Sequence, residues 1–254
     1  MLGQFRRDLV STFSLGGWRP ILHKSGAAAP AVALSFDDGP SPETTPRVLE
    51  LLREHNAGAT FFLSGERAAA WPELVAAMVH DGHGVYAHGY NHLRLDGLAP
   101  DEAIRELDET EAVIARIRPT PSPYLVRLPF GAGHRNTRIH RLVAGWRPDC
   151  QFAHWSYDFK DFRLAENCET VTDLEQRCEE AVRQAFADPR FIGSVALVHE
   201  NPIGVPGKLV PEIAATLLSR LLTEADARGV RIVGMSPEDR PAWWSPYVRT
   251  VYVE

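Results

Sequence analysis

The sequence has little cysteine and no long apolar run, and both shortages narrow the class of protein. Of its 254 residues only three are cysteines, Cys150, Cys168 and Cys178. No two of them form a CxxC pair, and an odd number excludes a framework that pairs every cysteine within the chain. Reduced thiols are typical of a cytoplasmic protein. No run approaches the about 20 apolar residues that a membrane-spanning helix needs.

The N-terminal residues also lack the features of a secretory signal. In the opening MLGQFRRDLVSTFSLGGW, Arg6 and Arg7 precede a short stretch that Ser11, Thr12 and Ser14 interrupt. A signal peptide needs a continuous apolar segment of about 7–15 residues. We therefore expect a cytoplasmic protein without a transmembrane segment.

Positive charge is in short supply as well. Lys and Arg total 27 and Asp and Glu total 33, so the formal net charge is -6 at pH 7. No stripe of Lys and Arg is present, which argues against a nucleic-acid partner. With 44% hydrophobic and 24% charged residues, the composition is that of an ordinary globular protein with a sizeable core. The length allows one large domain or two small ones, and the oligomeric state is left open.

Short apolar segments alternate with helical patterns along most of the chain. Seven segments, most of them β-branched or aromatic, are predicted strands: 31–36, 59–63, 83–87, 123–128, 150–155, 194–198 and 229–233. Six segments are predicted helices: 45–55, 72–80, 100–117, 137–144, 170–187 and 210–227. This alternation predicts an α/β fold, a distorted (β/α) barrel with about seven parallel strands in a single domain, with a doubly wound open sheet as second choice. We expect the barrel over residues 31–236 and extensions at 1–30 and 237–254.

Unusual polar residues follow most of the predicted strands. In either fold, the chemistry gathers at the carboxyl ends of the strands. The residues at these ends, taken strand by strand, are Asp37 and Asp38, His88 and His92, Arg127, Asp158 and Asp161, and His199. We therefore expect nearly all of them to meet at one rim of the fold.

The segment HGYNH, from His88 to His92, places two histidines four residues apart, a spacing that suits metal chelation. It is not an HExxH motif, because Gly89 stands where that motif has its glutamate, so a base must come from elsewhere. The paired acids Asp37 and Asp38 can supply both a third metal ligand and a base for the bound water. The alternative interpretations are surface histidines in a loop and an ordinary strand-end turn.

Three further segments offer groups that suit hydrolysis. Arg127 of RLPFG can hold a carboxylate, and a backbone N–H of the turn around Phe130 can stabilise an oxyanion. In WSYDFKDF, Asp158 or Asp161 can orient a neighbouring histidine, and His199 beside an acid can act as a general acid near neutral pH. Each segment also has a structural interpretation, namely an exposed arginine, a Pro-Gly turn, a solvated acidic turn and a hydrogen-bonded histidine.

Five segments, SFDDGP, HGYNH, RLPFG, DFKDF and LVH, occur in this order at the predicted strand ends. They resemble the TFDDGP, H-[ST]-x-x-H, R-x-P-Y-G, D-x-x-D-W and L-x-H motifs of the polysaccharide (chitooligosaccharide-type) deacetylase family, carbohydrate esterase family four. The resemblance extends over about residues 31–234. One such motif alone is weakly specific, whereas five in order are a specific signal.

The resemblance implies a distorted (β/α) barrel with a divalent metal, most often zinc, and cobalt is an alternative. Carried over by motif, Asp38, His88 and His92 would be the metal ligands. Asp37 would be the general base, and Arg127 would hold it.

The remaining motifs imply the rest of the site. The backbone N–H of Phe130 would help to stabilise the oxyanion. His199 would protonate the leaving amine, and Asp161 would tune His199. Phe162 and Leu197 would line the pocket for the acetyl methyl group.

Four residues depart from the motifs of this family. Gly89 replaces Ser or Thr, Phe130 replaces Tyr, Phe162 replaces Trp, and Glu200 stands where Asp is frequent. Gly is still an acceptable N-cap, so we expect metal binding to survive. The change at position 130 is harmless if only its backbone donates. The changes at positions 162 and 200 bear on substrate identity more than on catalysis.

The sequence thus predicts a metal-dependent hydrolase that removes an N-acetyl group from an amino sugar of a poly- or oligosaccharide or a glycoconjugate. A sugar deformylase and an O-acetyl esterase are alternatives, and the pocket behind Phe162 and Leu197 distinguishes formyl from acetyl by its depth. An inactive carbohydrate-binding module is a further alternative, but the ligand set and the base are all present. A purely structural barrel would leave the paired acids buried without a partner, which is costly.

Overall fold

The computed structural model describes residues 19–27, 30–237 and 248–249, and within them the predicted alternation of strands and helices is confirmed. The strands are β1 Ile21–Leu22, β2 Ala31–Asp37, β3 Thr60–Leu63, β4 Gly84–Ala87, β5 Tyr124–Val126, β6 Cys150–Ala153, β7 Tyr157–Asp158, β8 Val195–His199, β9 Arg231–Val233 and β10 Val248–Arg249. The helices are α1 Thr45–Glu54, α2 Gly65–Ala70, α3 Pro72–His80, α4 Pro100–Ile114, α5 Thr137–Trp146, α6 Val171–Ala187 and α7 Val210–Ala227. The additions to the expected elements are β1, β7, β10 and α2, which are too short to show a periodic pattern.

The strands form two sheets that together make the distorted barrel. One sheet has the order β4-β3-β2-β8-β7, and β9 pairs with the first half of β2. The other has the order β10-β1-β6-β5. All pairings are parallel except that of β1 with β10. The expected α/β barrel is therefore confirmed, with its wall divided between two sheets.

Two apolar clusters explain how the sheets and helices pack. An inner cluster contains side chains from both sheets, such as Ala33 and Phe62 from one and Tyr124 and Phe152 from the other. An outer cluster joins the sheet centred on β2 to α1, α3, α6 and α7. The inner cluster fills the space that the two sheets enclose, which is the core of a barrel.

Strand β2 shows how this arrangement prepares the site. Every residue of its sequence AVALSFD is buried. Because side chains alternate along a strand, Val32, Leu34 and Phe36 pack in the outer cluster while Ala33 packs in the inner one. Ser35 and Asp37 share the inward face with Ala33 and bring polar groups to the carboxyl end of the barrel.

Two residues from each expected extension take part in the second sheet. In the N-terminal extension, Ile21–Leu22 forms β1, and in the C-terminal extension Val248–Arg249 forms β10. Residues 1–18, 28–29, 238–247 and 250–254 lie outside the described residues, so the domain boundaries stay a prediction. Among the helices that are described, none is long and apolar enough to cross a membrane. The cytoplasmic location also stays a prediction.

Candidate active site

The register of the sheet brings the first and last motifs together. Strand β2 pairs with β8 so that Asp37 lies opposite His199 at the carboxyl end of both strands. Strand β3 lies on the other side of β2, and β4 follows it and leads directly into His88. The polar residues that were expected at one rim therefore start from neighbouring strand ends.

Asp38, His88 and His92 form a compact group of possible metal ligands. One ligand atom from each of the three side chains can be chosen so that all lie within 4.8 Å of one another. Asp38 Oδ1 lies 3.1 Å from Nε2 of His92 and 3.6 Å from Nε2 of His88. Asp38 and His88 are buried and His92 is nearly so. Three such ligands with a remaining open position match a catalytic divalent-metal site.

The hydrogen bonds around this group leave the ligand atoms free, and so the residues fit a metal. Oδ2 of Asp38 accepts a hydrogen bond from the backbone N–H of Ile203 at 2.8 Å. Oδ1 is buried and accepts no hydrogen bond of good geometry from the part of the chain that the structure describes. Nδ1 of His88 lies 2.8 Å from the carbonyl of Arg127, and this contact assigns the proton to Nδ1 and the lone pair to Nε2.

The electrostatics agree with a neutral histidine and an anionic aspartate. Burial lowers the pKa of His88 below its usual value, so the ring is neutral at neutral pH. Burial alone would raise the pKa of Asp38, but contact with His92 and the nearby His88 and His199 outweigh it, and the pKa lies well below its usual range. A neutral imidazole and an ionised carboxylate are the forms that bind metal.

Backbone strain is concentrated at the same place. Six described residues other than glycine have positive φ, and three of them are predicted site residues: Asp38 at 73°, His92 at 54° and Phe130 at 62°. Such conformations cost about 1–3 kcal/mol each and persist where the surrounding structure imposes them.

Arg127 holds Asp37 next to the metal group. Its Nη1 donates to Oδ1 of Asp37 at 2.7 Å and to Oγ of Ser35 at 2.9 Å. Its Nε donates to the carbonyl of Ala153 at 3.0 Å, and its guanidinium lies over the ring of Phe62 at 4.2 Å. The arginine is buried and its donors are used, so Asp37 is fixed with Oδ2 on the side of His88, 3.7 Å from Nε2.

Asp161 holds His199, which lies next to Asp37 in the sheet. Oδ1 of Asp161 lies 3.0 Å from Nδ1 of His199, and Oδ2 accepts the backbone N–H of the same histidine at 2.7 Å. Burial alone would lower the pKa of His199, but Asp161, with Asp37 and Asp38, raises it to about 10. Asp158 instead accepts the backbone N–H of Lys160 at 2.8 Å and so shapes the turn that leads to Asp161.

Apolar side chains border this group. The ring of Phe130 lies 4.7 Å from that of His92 and is 60% exposed. The ring of Phe162 meets His199 edge-on at 5.8 Å and is 37% exposed. Leu197 is buried in β8, two residues before His199 and therefore on the same face. The oxyanion role of the turn at Phe130 and the acetyl pocket between Phe162 and Leu197 stay predictions.

Comparison with known proteins agrees with these motifs. A family profile described as polysaccharide deacetylase matches residues 24–145. The chitooligosaccharide deacetylase of Rhizobium leguminosarum bv. phaseoli is 33% identical over 177 residues, which are 69% of this chain and 70% of that protein. The chain belongs to the polysaccharide deacetylase family.

Other members of the polysaccharide deacetylase family match over shorter parts of their own length. The peptidoglycan-N-acetylglucosamine deacetylase of Bacillus cereus is 31% identical over 202 residues, 80% of this chain and 66% of that protein. The chain spans 63% of the chitooligosaccharide deacetylase of Sinorhizobium fredii, at 36% identity over 139 residues and 55% of this chain.

Solved structures of family members share the fold. The crystal structure of the Bc1960 peptidoglycan N-acetylglucosamine deacetylase has a TM-score of 0.68 and 26% identity, covering 86% of this chain and 94% of that one. BA3943 of Bacillus anthracis is described as a CE4 family pseudoenzyme. Its structure has a TM-score of 0.63 and 20% identity, and the match covers 85% of this chain and 66% of that one. Because the fold occurs in a pseudoenzyme too, activity has to be argued from the site residues.

Several residues that contact the candidate site were not identified from the sequence. Ser35 stands two residues before Asp37 in β2, and strand alternation could have found it. The amide of Ile203 and the side chain of Arg67, which donates to the carbonyl of Asp38 at 2.9 Å, have no sequence signal.

Glu200 has a different environment from the one expected. The motif comparison linked it to substrate identity, but it is completely buried. It accepts a hydrogen bond from Thr45, and its carboxyl group occupies the space that a side chain at Gly39 would need. Burial raises the pKa of Glu200 to about 8. The residue therefore packs under the DDGP segment through Gly39 and is not exposed to solvent.

Proposed function

We propose that this chain is a divalent-metal-dependent deacetylase that hydrolyses the N-acetyl group of an amino sugar in a poly- or oligosaccharide or a glycoconjugate. One observation carries the proposal: the Asp38, His88 and His92 group shares one end of the barrel with a carboxylate held by arginine and a histidine held by aspartate. Hydrolysis of an amide needs a base for water and an acid for the amine, and these two pairs supply them.

The residues that would hold the metal are Asp38, His88 and His92. Zinc suits two imidazoles and one carboxylate best, and cobalt accepts the same ligands. When bound, the metal acts as a Lewis acid that polarises the amide carbonyl and lowers the pKa of water to about 7.

Asp37 is the proposed general base. Its Oδ1 is occupied by Arg127, so Oδ2 is the atom that takes a proton from the attacking water. The water oxygen then bonds to the carbonyl carbon, and negative charge develops on the carbonyl oxygen. The backbone N–H of Phe130 donates a hydrogen bond to this oxygen.

His199 is the proposed general acid. Asp161 contacts Nδ1, so Nε2 is the atom that gives its proton to the amine nitrogen. The bond between carbon and nitrogen breaks, and acetate and a free amine are the products. A general acid and a general base each contribute about 10²–10⁴-fold to such a rate.

A substrate panel tests this proposal. The zinc-loaded protein is given N-acetylglucosamine oligomers, their N-formyl counterparts and O-acetylated sugars, and the release of acid and of free amine is measured. We expect release of acetate and amine in equal amounts from the N-acetyl substrates. Faster release of formate or of O-linked acetate would replace the acetyl-amide assignment by a deformylase or an esterase, and no release from any of them would indicate an inactive binding module.

A further inference from the structure

The two histidines of the HGYNH loop are held in different ways. His88 is buried, and its Nδ1 is fixed by the carbonyl of Arg127. For His92, no hydrogen bond of Nδ1 is found within residues 19–27, 30–237 and 248–249. The His92 ring lies 3.1 Å from Oδ1 of Asp38 and has the rings of Phe130 and His88 beside it, at 4.7 and 5.4 Å. The direction of the His92 imidazole is therefore set by the backbone of the loop together with these neighbouring side chains.

The first half of this loop is anchored by α2. The backbone N–H groups of Gly65 and Glu66 each donate at 3.0 Å, to the carbonyls of Gly89 and Tyr90 respectively. Oγ of Ser64 also donates to the carbonyl of Tyr90, at 3.1 Å. These contacts fix the loop as far as Tyr90 and leave the two residues that follow to be held by something else.

A buried carboxylate holds the next residue. Glu106 of α4 accepts two hydrogen bonds from Asn91, from the backbone N–H to Oε2 at 2.8 Å and from Nδ2 to Oε1 at 2.7 Å. Glu106 is only 7% exposed, so its own position is set by the helix. Two bonds to one residue fix both its backbone and its side chain.

The residue that follows is the one under strain. His92 has a φ of 54°, which a histidine adopts at a cost and keeps only when its neighbours impose it. Asn91 precedes His92 in the chain and is itself held by its hydrogen bonds to Glu106.

The hydrogen bonds between Glu106 and Asn91 matter more in this chain because Gly89 has no side chain that could hold the loop. The family motif has Ser or Thr at this position, whereas the glycine here has no hydroxyl and has a φ of 83°. A Cβ at Gly89 would lie 3.6 Å from Oε2 of Glu106. The carboxylate thus lies next to the position where the hydroxyl is missing, and it supplies a polar anchor for the loop from another helix.

We propose that Glu106 is a positioning residue of the metal site. By accepting two hydrogen bonds from Asn91, it directs Nε2 of the next residue, His92, toward Asp38. Glu106 touches neither metal nor substrate and acts through Asn91. The inference rests on the proposed metal function, and it concerns how this chain builds the site.

Zinc affinity of the full chain, measured by competition with a chromophoric chelator, tests the inference. We expect Glu106→Ala to weaken zinc binding by up to about 10-fold, the lower end of the range for losing a group bonded directly to a ligand, because Glu106 acts through Asn91. Glu106→Gln keeps one acceptor oxygen and should recover part of the affinity. Glu109→Ala on the same helix is the matched control, because Glu109 is exposed, and it should bind zinc as the wild type does.

Asn91→Ala provides a second test with little risk to folding, since Asn91 is exposed. It should also weaken zinc binding, and the effect of Glu106→Ala should be smaller in its background, because contacting residues are not additive. The visible spectrum of the cobalt-loaded protein should change in Glu106→Ala and Asn91→Ala but not in Glu109→Ala.

The outcomes separate this inference from the proposed function. If the wild type binds zinc, and Glu106→Ala and Asn91→Ala both have zinc affinities within twofold of the wild type, the positioning role is wrong and the metal site stands. Asn91→Ala removes only the side-chain bond and keeps the backbone N–H that donates to Glu106. If Glu106→Ala does not fold, unchanged affinity in both Glu106→Gln and Asn91→Ala therefore overturns the inference. If the wild type does not bind zinc, the proposed metal site fails and the positioning role fails with it.

Discussion

Asp37 and Asp38 are adjacent in the sequence, yet their carboxylates have different partners. Asp37 ends β2 and contacts Arg127, whereas Asp38 turns into a left-handed conformation and faces His88 and His92. Two buried acids side by side repel each other, and a cation beside each of them offsets the repulsion. For Asp37 this cation is the guanidinium, and for Asp38 it would be the metal, which explains how both acids are tolerated at one strand end.

The pH dependence of activity tests the pairing of His199 with Asp161. A general acid works in its protonated form, so activity is present below its pKa and is lost as the pH rises through it. Asp161 raises the pKa of His199, and burial opposes it. In Asp161→Asn we therefore expect the basic limb of the kcat/KM profile to move to lower pH.

The other acid of the same motif, Asp158, provides the control for this shift. Asp158 contacts the N–H of Lys160 and not His199, so Asp158→Asn should leave the basic limb where it is. A basic limb that stays in place in Asp161→Asn would remove either His199 from the role of acid or Asp161 from the role of its partner.

At the scale of elements, the turn Pro129–Gly131 joins the proposed oxyanion donor, the N–H of Phe130, to the barrel wall. Phe130 has a φ of 62° and Gly131 a φ of 58°, and the ring of Trp155 packs against Gly131. A Cβ at Gly131 would lie 2.5 Å from Cη2 of Trp155. Glycine is thus needed here both for its conformation and for the space it leaves.

Gly131→Ala should displace this turn while the ligands stay in place. We expect kcat to fall by up to about 10²–10³-fold, the usual cost of losing one oxyanion donor, with zinc affinity unchanged. Gly97→Ala is a suitable control, because a methyl group at Gly97 would point into open space and the backbone there has no positive φ. An unchanged kcat in Gly131→Ala would show that this turn takes no part in the reaction.

The sequence was most informative about elements with a clear period. The apolar alternation of β2 and the helical spacing in α7 predicted their bounds within one residue, and the motifs at strand ends predicted the site. Contacts between residues far apart in the sequence leave no local pattern. The hydrogen bond from the amide of Ile203 to Asp38 and that from Asn91 to Glu106 therefore could not be predicted. The link between Glu200 and substrate identity stays a prediction, and the burial of its side chain could not be read from its position next to His199.

At the scale of the whole molecule, the site depends on both sheets of the divided barrel. Asp37 and His199 end strands of the sheet centred on β2, Asp38 follows β2 directly, and Arg127 follows β5 in the other sheet. The guanidinium contacts β2 through Asp37 and β6 through Ala153, so it joins the two sheets at the end where the reaction is proposed. The proposed base, Asp37, is therefore held in position only when both sheets are assembled.

The central claim assigns metal binding and base catalysis to different residues, and one paired measurement tests it. Bound zinc and acetate release from N-acetylglucosamine oligomers are measured together in the wild type, Asp37→Asn and His92→Ala. We expect Asp37→Asn to keep its zinc and lose most of its activity, and His92→Ala to lose both. Wild-type activity in Asp37→Asn, or unchanged zinc content in His92→Ala, would contradict the account.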